Sequence, residues 1–306
     1  MRNLIISTII ILSIVALLQS CNNSNKEKNK DVFIPLRMVE VPAMITEPGE
    51  RDKYIIEHFW DMMNFGDTSY LSNIQNLNVH FSAYLDYLTT TTAEGAKRSV
   101  VKLTDSILNG NPKIISKFKT MFETAFYEPN SLYRNEELYI CVLEEFLNSG
   151  KISDAEKIQM KYQLDLANRN HLGTKAIDFN FVLADGSFMN LYGIRSEFTL
   201  LMFFDPDCPA CKSVMDEIKS SPTLSGLSSK VKVLTMYAGV DFERWMVEAP
   251  NLNKSWINGC DKEMKISEGS LYDLRPTPAL YLLDRQKTVI LKDAPFKFIE
   301  EYLKKI

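Results

Sequence analysis

The stretch that most constrains this chain is Asp205-Pro206-Asp207-Cys208-Pro209-Ala210-Cys211-Lys212. An apolar run precedes it, Phe198-Thr199-Leu200-Leu201-Met202-Phe203-Phe204, and a helical pattern follows, with Val214, Met215 and Ile218 on one side. That order reads as a buried strand delivering two cysteines to the first turn of a helix. The unpaired N–H groups and partial positive charge of a helix N-terminus favour a thiolate over a thiol. The spacing puts Cys208 at the exposed start and Cys211 one turn further in, within reach of a reversible disulfide. Pro209 suits the first helical position, where its missing N–H loses nothing. Half of a zinc site would need a second Cys-x-x-Cys, and His58, His80 and His171 are scattered. A haem attachment would need His where Lys212 stands. A purely structural disulfide stays open beside redox chemistry.

The remaining cysteines divide by context. The chain has 5, an odd count that argues against a complete disulfide framework. Cys141, within Leu138-Tyr139-Ile140-Cys141-Val142-Leu143, reads as a buried inert thiol on a helix. Cys260, in Asn258-Gly259-Cys260-Asp261, reads as a free thiol on a loop. A length of 306 residues suits two modest domains, and 45% hydrophobic content supplies a core for each. A net charge of −4, with no basic run interleaved with aromatics, points away from nucleic acid.

At the start, Arg2 is followed by the uncharged stretch Leu4 to Leu18, short for a membrane span and right for a signal-peptide core. It ends in Leu18-Gln19-Ser20-Cys21, which resembles the bacterial lipoprotein cleavage box. The resemblance implies that residues 1–20 are a signal peptide, cleaved before Cys21, whose thiol and new amino group are lipidated. An ordinary signal peptide with a chance cysteine is the alternative. Acyl chains would hold the protein to a membrane without a spanning helix. Asn22 to Asp31 is rich in Asn and Lys and reads as part of a flexible tether spanning 21–44. Asn22 is not acidic, which by bacterial sorting rules favours the outer membrane, with the protein in the cell envelope facing the periplasm.

Residues 45–170 read as an all-α domain. Apolar stripes at spacings of three and four run through Tyr54, Ile55, Phe59, Met62 and Met63, and through Val100, Val101, Thr104, Ile107 and Leu108. Others run through Ile114, Ile115, Phe118, Met121, Phe122 and Phe126, through Leu138, Tyr139, Val142, Leu143 and Phe146, and through Ile158, Tyr162 and Leu166. Breaks are expected at Asn109-Gly110-Asn111-Pro112, Glu128-Pro129-Asn130-Ser131 and Asn148-Ser149-Gly150, and Ser153 is a candidate N-cap. No stripe carries a catalytic grouping. From Gly173 the period shortens: Phe179 to Leu183, an Asp185-Gly186 turn and Ser187 to Leu191 form a hairpin. Strands Phe198–Phe204 and Val231–Tyr237, a helix from Asp241 to about Val247, a strand pair around Arg285-Gln286-Lys287 and a closing helix from Pro295 to Ile306 complete an α/β order, with helices on both faces of one sheet.

With this order, residues 171–306 resemble the thioredoxin superfamily, specifically the TlpA/ResA-like exported thiol-disulfide oxidoreductases. The lead-in Gly173-Thr174-Lys175-Ala176-Ile177-Asp178-Phe179 resembles that family's N-terminal hairpin, and Cys208 and Cys211 sit on its active-site turn. Thr277-Pro278 matches its cis-proline, and Tyr281-Leu282-Leu283-Asp284 the strand after it. The preceding region resembles uncharacterised helical domains of anchored lipoproteins. The resemblance implies a thioredoxin-like domain after an all-α domain, with Cys208 attacking and Cys211 resolving, and Thr277, Pro278, Pro209 and Ala210 contacting substrate. It implies no metal, nucleotide or flavin beyond the Cys208–Cys211 pair itself. Expected partners are protein or small-molecule thiols and disulfides and an upstream redox partner. A non-catalytic binding or scaffold lipoprotein and a thiol peroxidase are the competing functions.

The site departs from the family's pattern at three positions. Asp207 replaces the usual Trp before the first cysteine, and with Asp205 it is expected to oppose the thiolate. Met202 stands where thioredoxin has a buried acid, and Val214 where ResA-like members carry one. That leaves the proton acceptor for Cys211 unassigned, with Asp216 and Glu217 read as solvated.

Overall fold

A computed structural model describes residues 36–306. The expected signal peptide, Cys21 and most of the tether lie outside the described residues. No helix among those described is long and apolar enough to cross a membrane.

Six helices come first: α1 (Pro48–His58), α2 (Ile74–Thr90), α3 (Ala93–Leu108), α4 (Pro112–Phe122), α5 (Glu136–Asn148) and α6 (Asp154–Asn168). Side chains before the first turns fix where they begin. Asn73, Thr92, Asn111 and Asn135 accept from N–H groups of α2, α3, α4 and α5, and Ser153 forms a reciprocal capping box with Glu156 on α6. A single wider turn, Glu123–Tyr127, extends α4. The helices share an apolar core in which Trp60 and Phe118 meet edge-on with ring centroids 5.3 Å apart. Burying one such aromatic stabilises by about 1.5–3 kcal/mol.

Two expected stripes differ from the buried faces. In the first, Ile56, Phe59, Trp60 and Met63 go inside and Met62 stays in water, because α1 stops at His58 and the chain leaves the helical period. In α6, Ile158 and Tyr162 face outward, and the inner side carries Met160, Gln163, Leu166 and Ala167. A polar side chain is tolerated there because Gln163 accepts from Tyr139 Oη at 3.1 Å and donates to Glu123 Oε1 at 3.0 Å.

The rest of the chain forms a seven-stranded sheet in the order β2-β1-β5-β4-β3-β6-β7. Its strands are β1 (Asn180–Val182), β2 (Phe188–Asn190), β3 (Phe198–Phe204), β4 (Val231–Tyr237), β5 (Ile257–Cys260), β6 (Ala279–Leu283) and β7 (Val289–Lys292). β3 and β4 run parallel, β6 is antiparallel to β3, and Gly186, at φ 81°, turns the β1–β2 hairpin. Helices α7 (Pro209–Ser220) and α11 (Phe296–Leu303), with the short α8 (Pro222–Gly226) and α9 (Phe242–Glu248), cover the face formed by Leu200, Met202 and Leu282. The opposite face, with Leu201, Phe203 and Tyr281, is closed mainly by Ala176, Tyr272 and the one-turn α10 (Lys265–Glu268). Helices therefore lie on both faces, but most of them on one.

Cys260 is the end of β5 and fully buried, not on a loop. Asn and Gly are poor strand formers, which hid this strand. Here a Cβ on Gly259 would lie 2.5 Å from the Phe181 ring, so only glycine fits, and Asn258 Oδ1 accepts a cross-strand bond from Thr235 at 2.6 Å.

The helical part and the sheet part meet through polar contacts. Arg134 Nη2 lies 2.6 Å from Asp293 and 3.3 Å from Asp273. Arg275 binds Asp273 at 2.6 Å and lies over the Tyr127 ring. Lys292 pairs with Glu136 at 2.6 Å, and Arg169 donates to the carbonyls of Gly269 and Ser270.

Candidate functional site

The site lies at the carboxyl end of β3, where the chain passes through Asp205-Pro206-Asp207 into α7. The Asp205 side chain accepts from the Asp207 N–H at 2.8 Å and its carbonyl from the Cys208 N–H at 3.1 Å, which tightens the turn. Cys208 is the N-cap of α7, and its Sγ accepts the Cys211 N–H at 3.1 Å. A sulfur in that position takes up one of the N–H groups that a helix start leaves free. Pro209 is the first residue of the helix, as its geometry requires, and both Pro209 and Ala210 are exposed at the rim.

The two sulfurs differ in access. Cys208 is half-buried; Cys211 is 1% exposed, and burial, then its contact with Cys208, pushes its thiol up to about 12. A backbone hydrogen bond from Asp205 acts the other way. Both are free thiols. Across from them, the Thr277–Pro278 bond is cis, and the Thr277 carbonyl lies 3.6 Å from Cys208 Sγ. The structure thus brings Cys208, Cys211, Thr277 and Pro278 together at one edge.

The carboxylates before Cys208 have a partner that the sequence did not reveal. Arg244, on α9, pairs with Asp207 and lies 3.9 Å from Asp205. The charge expected to oppose the thiolate is therefore shared with a guanidinium. No local signal marks Arg244, because the pairing exists only once β4 places α9 beside the turn. Met202 is fully buried under α7, and Val214 lies on the helix side facing the cleft. Asp216 and Glu217 are exposed, as read from the helical pattern. Cys141 is half-buried on α5, with burial raising its pKa. Cys260 is likewise pushed up to about 12 by burial.

Beside Thr277 and Pro278 opens a cleft of about 780 Å³. Val214 and Glu217 of α7 and Phe296 and Phe298 of α11 form one wall, and residues 129–132 and 134–137, before and at the start of α5, form the other.

Comparison with known proteins bears on both parts of the chain. Residues 17–170, half of the chain, match the family model described as a domain of unknown function (DUF5106). A comparison with curated proteins finds no match. Among solved structures, the chain is similar to a thioredoxin-like protein from Bacteroides caccae ATCC 43185, with 34% identity and a TM-score of 0.85. That likeness covers 89% of this chain and 99% of the other, so it includes helical part and sheet alike. The C-terminal domain of an uncharacterized protein from Bacteroides fragilis NCTC 9343 is 42% identical over 44% of this chain and 98% of its own, with a TM-score of 0.43. A domain of a possible thiol-disulfide isomerase from Cytophaga hutchinsonii ATCC 33406 is 23% identical over 44% of this chain and 92% of its own, at a TM-score of 0.38. Taken with the sheet order and the cysteine turn, the two full-strength matches place the chain in this family: a thioredoxin-like protein whose N-terminal half is a DUF5106 domain.

Proposed function

We propose that this protein is a thiol-disulfide oxidoreductase that works through Cys208 and Cys211. The observation that carries the reading is the asymmetry of the pair. Cys208 is accessible and accepts a helix N–H, Cys211 is buried one turn on, and the Thr277 carbonyl faces the first sulfur. The Cys208 thiolate attacks one sulfur of a substrate disulfide. The S–S bond breaks, one substrate thiolate leaves, and the other half is held on Cys208. Cys211 then loses its proton and attacks Cys208 Sγ, which releases the second thiolate and leaves a Cys208–Cys211 disulfide. Two electrons pass from the pair to the substrate, and a dithiol donor restores them; run backwards, the same steps oxidise a dithiol. Asp205, Asp207 and Arg244 hold the turn that presents Cys208. Among the described residues no carboxylate lies at hydrogen-bonding distance from the Cys211 thiol, so its proton leaves to water or to a departing thiolate.

A Cys211→Ser variant should hold substrate on Cys208 as a persistent mixed disulfide, because the intramolecular resolving thiol is gone. Cys208→Ser should trap far less. Equal trapping by both would refute the assigned roles, and none by either would favour a scaffold.

The protein is further proposed to act from the cell envelope, anchored through lipid on Cys21 and facing the periplasm at the outer membrane. The Leu18-Gln19-Ser20-Cys21 box and the following Asn22 support this. Cys21→Ser should release the protein from the membrane fraction or block its processing; unchanged association would remove the anchor.

A further inference from the structure

The cleft beside Thr277 extends past the sheet part onto the helical part, and thiol-disulfide exchange as such makes no use of that far wall. Its rim holds three large apolar side chains left in water: Leu132 at 97% exposure, Phe298 at 54% and Leu172 at 45%. A single exposed leucine needs no explanation, but three around one opening beside a reactive sulfur form a surface.

Leu132 is held out by its neighbours. Ser131 Oγ donates to the Ala125 carbonyl at 2.5 Å, and Tyr133 Oη donates to Asp86 at 2.6 Å. Arg134 lies 2.6 Å from Asp293, and the Asn135 N–H donates to the Phe126 carbonyl at 3.0 Å. The residues flanking Leu132 are tied down while Leu132 itself touches water, so its backbone position is set before any partner arrives. Only its side chain is left to order on binding.

We propose that the helical part supplies the second wall of the substrate groove. Its occupant is an extended polypeptide with a large apolar residue two positions from the reacting cysteine. The inference rests on the redox reading above and names its substrate class. The cleft is continuous with Cys208 through Thr277, whose carbonyl faces the sulfur and whose N–H has no partner among the described residues. An extended chain passing there advances about 3.3 Å per residue with side chains alternating between faces. Side chains near the reacting cysteine then point alternately toward Leu132 and Phe298 or toward water. A small disulfide carries no such side chains and gains nothing from the far wall.

The test compares the full chain, with dithiothreitol as electron source, on three disulfides. These are bis(2-hydroxyethyl) disulfide and two ten-residue peptides, each dimerised through one central cysteine, with leucine or serine two positions to either side. Wild type should prefer the leucine peptide about tenfold in kcat/KM, which corresponds to about 1.4 kcal/mol. Leu132→Asp should abolish the preference, Leu132→Met should retain it, and both should reduce the small disulfide within about twofold of wild type, since the site of substitution is exposed. A wild type without preference, or a preference that survives both Leu132→Asp and Phe298→Asp, overturns the groove. A wild type inert toward all three disulfides, with no mixed disulfide on Cys211→Ser, overturns the redox reading and the groove with it.

Discussion

The helical part and the sheet part are built with equal economy and to different ends. Each buries aromatic side chains completely: Phe118, Phe122 and Phe146 in one, Trp245, Tyr272 and Tyr281 in the other. In the sheet part, polar and reactive groups gather where strands end: Cys208 after β3, Arg244 on the helix after β4, Thr277 before β6. In the helical part, Tyr84 pairs with Ser99 and Tyr139 with Gln163, while the Trp60 indole N–H is buried without a partner among the described residues. Its remaining polar groups that reach across, Arg134, Glu136 and Arg169, end on the loops around residues 269–275 and 293 that lead to and flank Thr277. The helical bundle thereby reaches the segment that leads to Thr277, through Arg134 and Asp273.

The sharpest way to break this contrast is to remove the same residue type from each part. Cys211→Ser should lower turnover by a factor on the order of 10³ or more, because an intramolecular resolving step becomes intermolecular. Cys141→Ser should leave turnover unchanged; a matching loss there would show that the helical part takes part in the chemistry. Next in size, Phe118→Ala should cost about 3–5 kcal/mol in denaturant unfolding, the transfer loss plus the cavity among Trp60, Phe65 and Phe81. The small-disulfide kcat/KM of the folded fraction should not change.

The junction distinguishes two modules that merely touch from two that hold each other. Asp273 is 2% exposed at its side chain and Arg134 16%, so Arg134→Ala leaves a buried carboxylate with less compensation, at a cost of about 3 kcal/mol. We expect the single unfolding transition to split in two. A transition that stays single and unshifted would make the contact ornamental.

The smallest effect expected is one of pH. Burial raises the pKa of Asp293, so the folded state holds that proton more tightly than the unfolded chain does. Its contribution to stability is fullest below the ordinary carboxylate pKa and is lost as pH rises through the folded value. Glu136 shifts in the same direction, and Asp273, paired with Arg275, in the opposite one. Asp293→Asn should therefore flatten the fall in stability above the ordinary carboxylate range. A steeper fall in the variant would reverse the assignment.

What the sequence disclosed and what it withheld follow from range. The cysteine turn, the Asp185-Gly186 hairpin and the Ser153 cap are local patterns whose geometry a few adjacent residues determine, whereas the cis Thr277–Pro278 bond was expected only through the family resemblance. The inward turn of Gln163, the strand through Gly259 and the exposure of Ile158 depend on partners far along the chain. The longest helix among the described residues, Ile74–Thr90, carries Leu77, Phe81, Tyr84, Leu85 and Leu88 at helical spacing, and that stripe was there to be found. Arg244 could not have been found in this way. It matters through Asp207, to which nothing in its own neighbourhood points.

Lys292, near the end of the chain, donates from its Nζ to the Ala167 carbonyl at 3.0 Å and to the Arg169 carbonyl at 2.7 Å, while α6 has no basic residue in its own last turn. Beside the helix's own C-cap, Arg169, a second positive group that suits its end is therefore encoded 125 positions later. The last turn of the bundle is thus completed only by a residue that lies beyond the whole cysteine turn, so a chain cut before β7 leaves Glu136 and the Ala167 and Arg169 carbonyls without that partner.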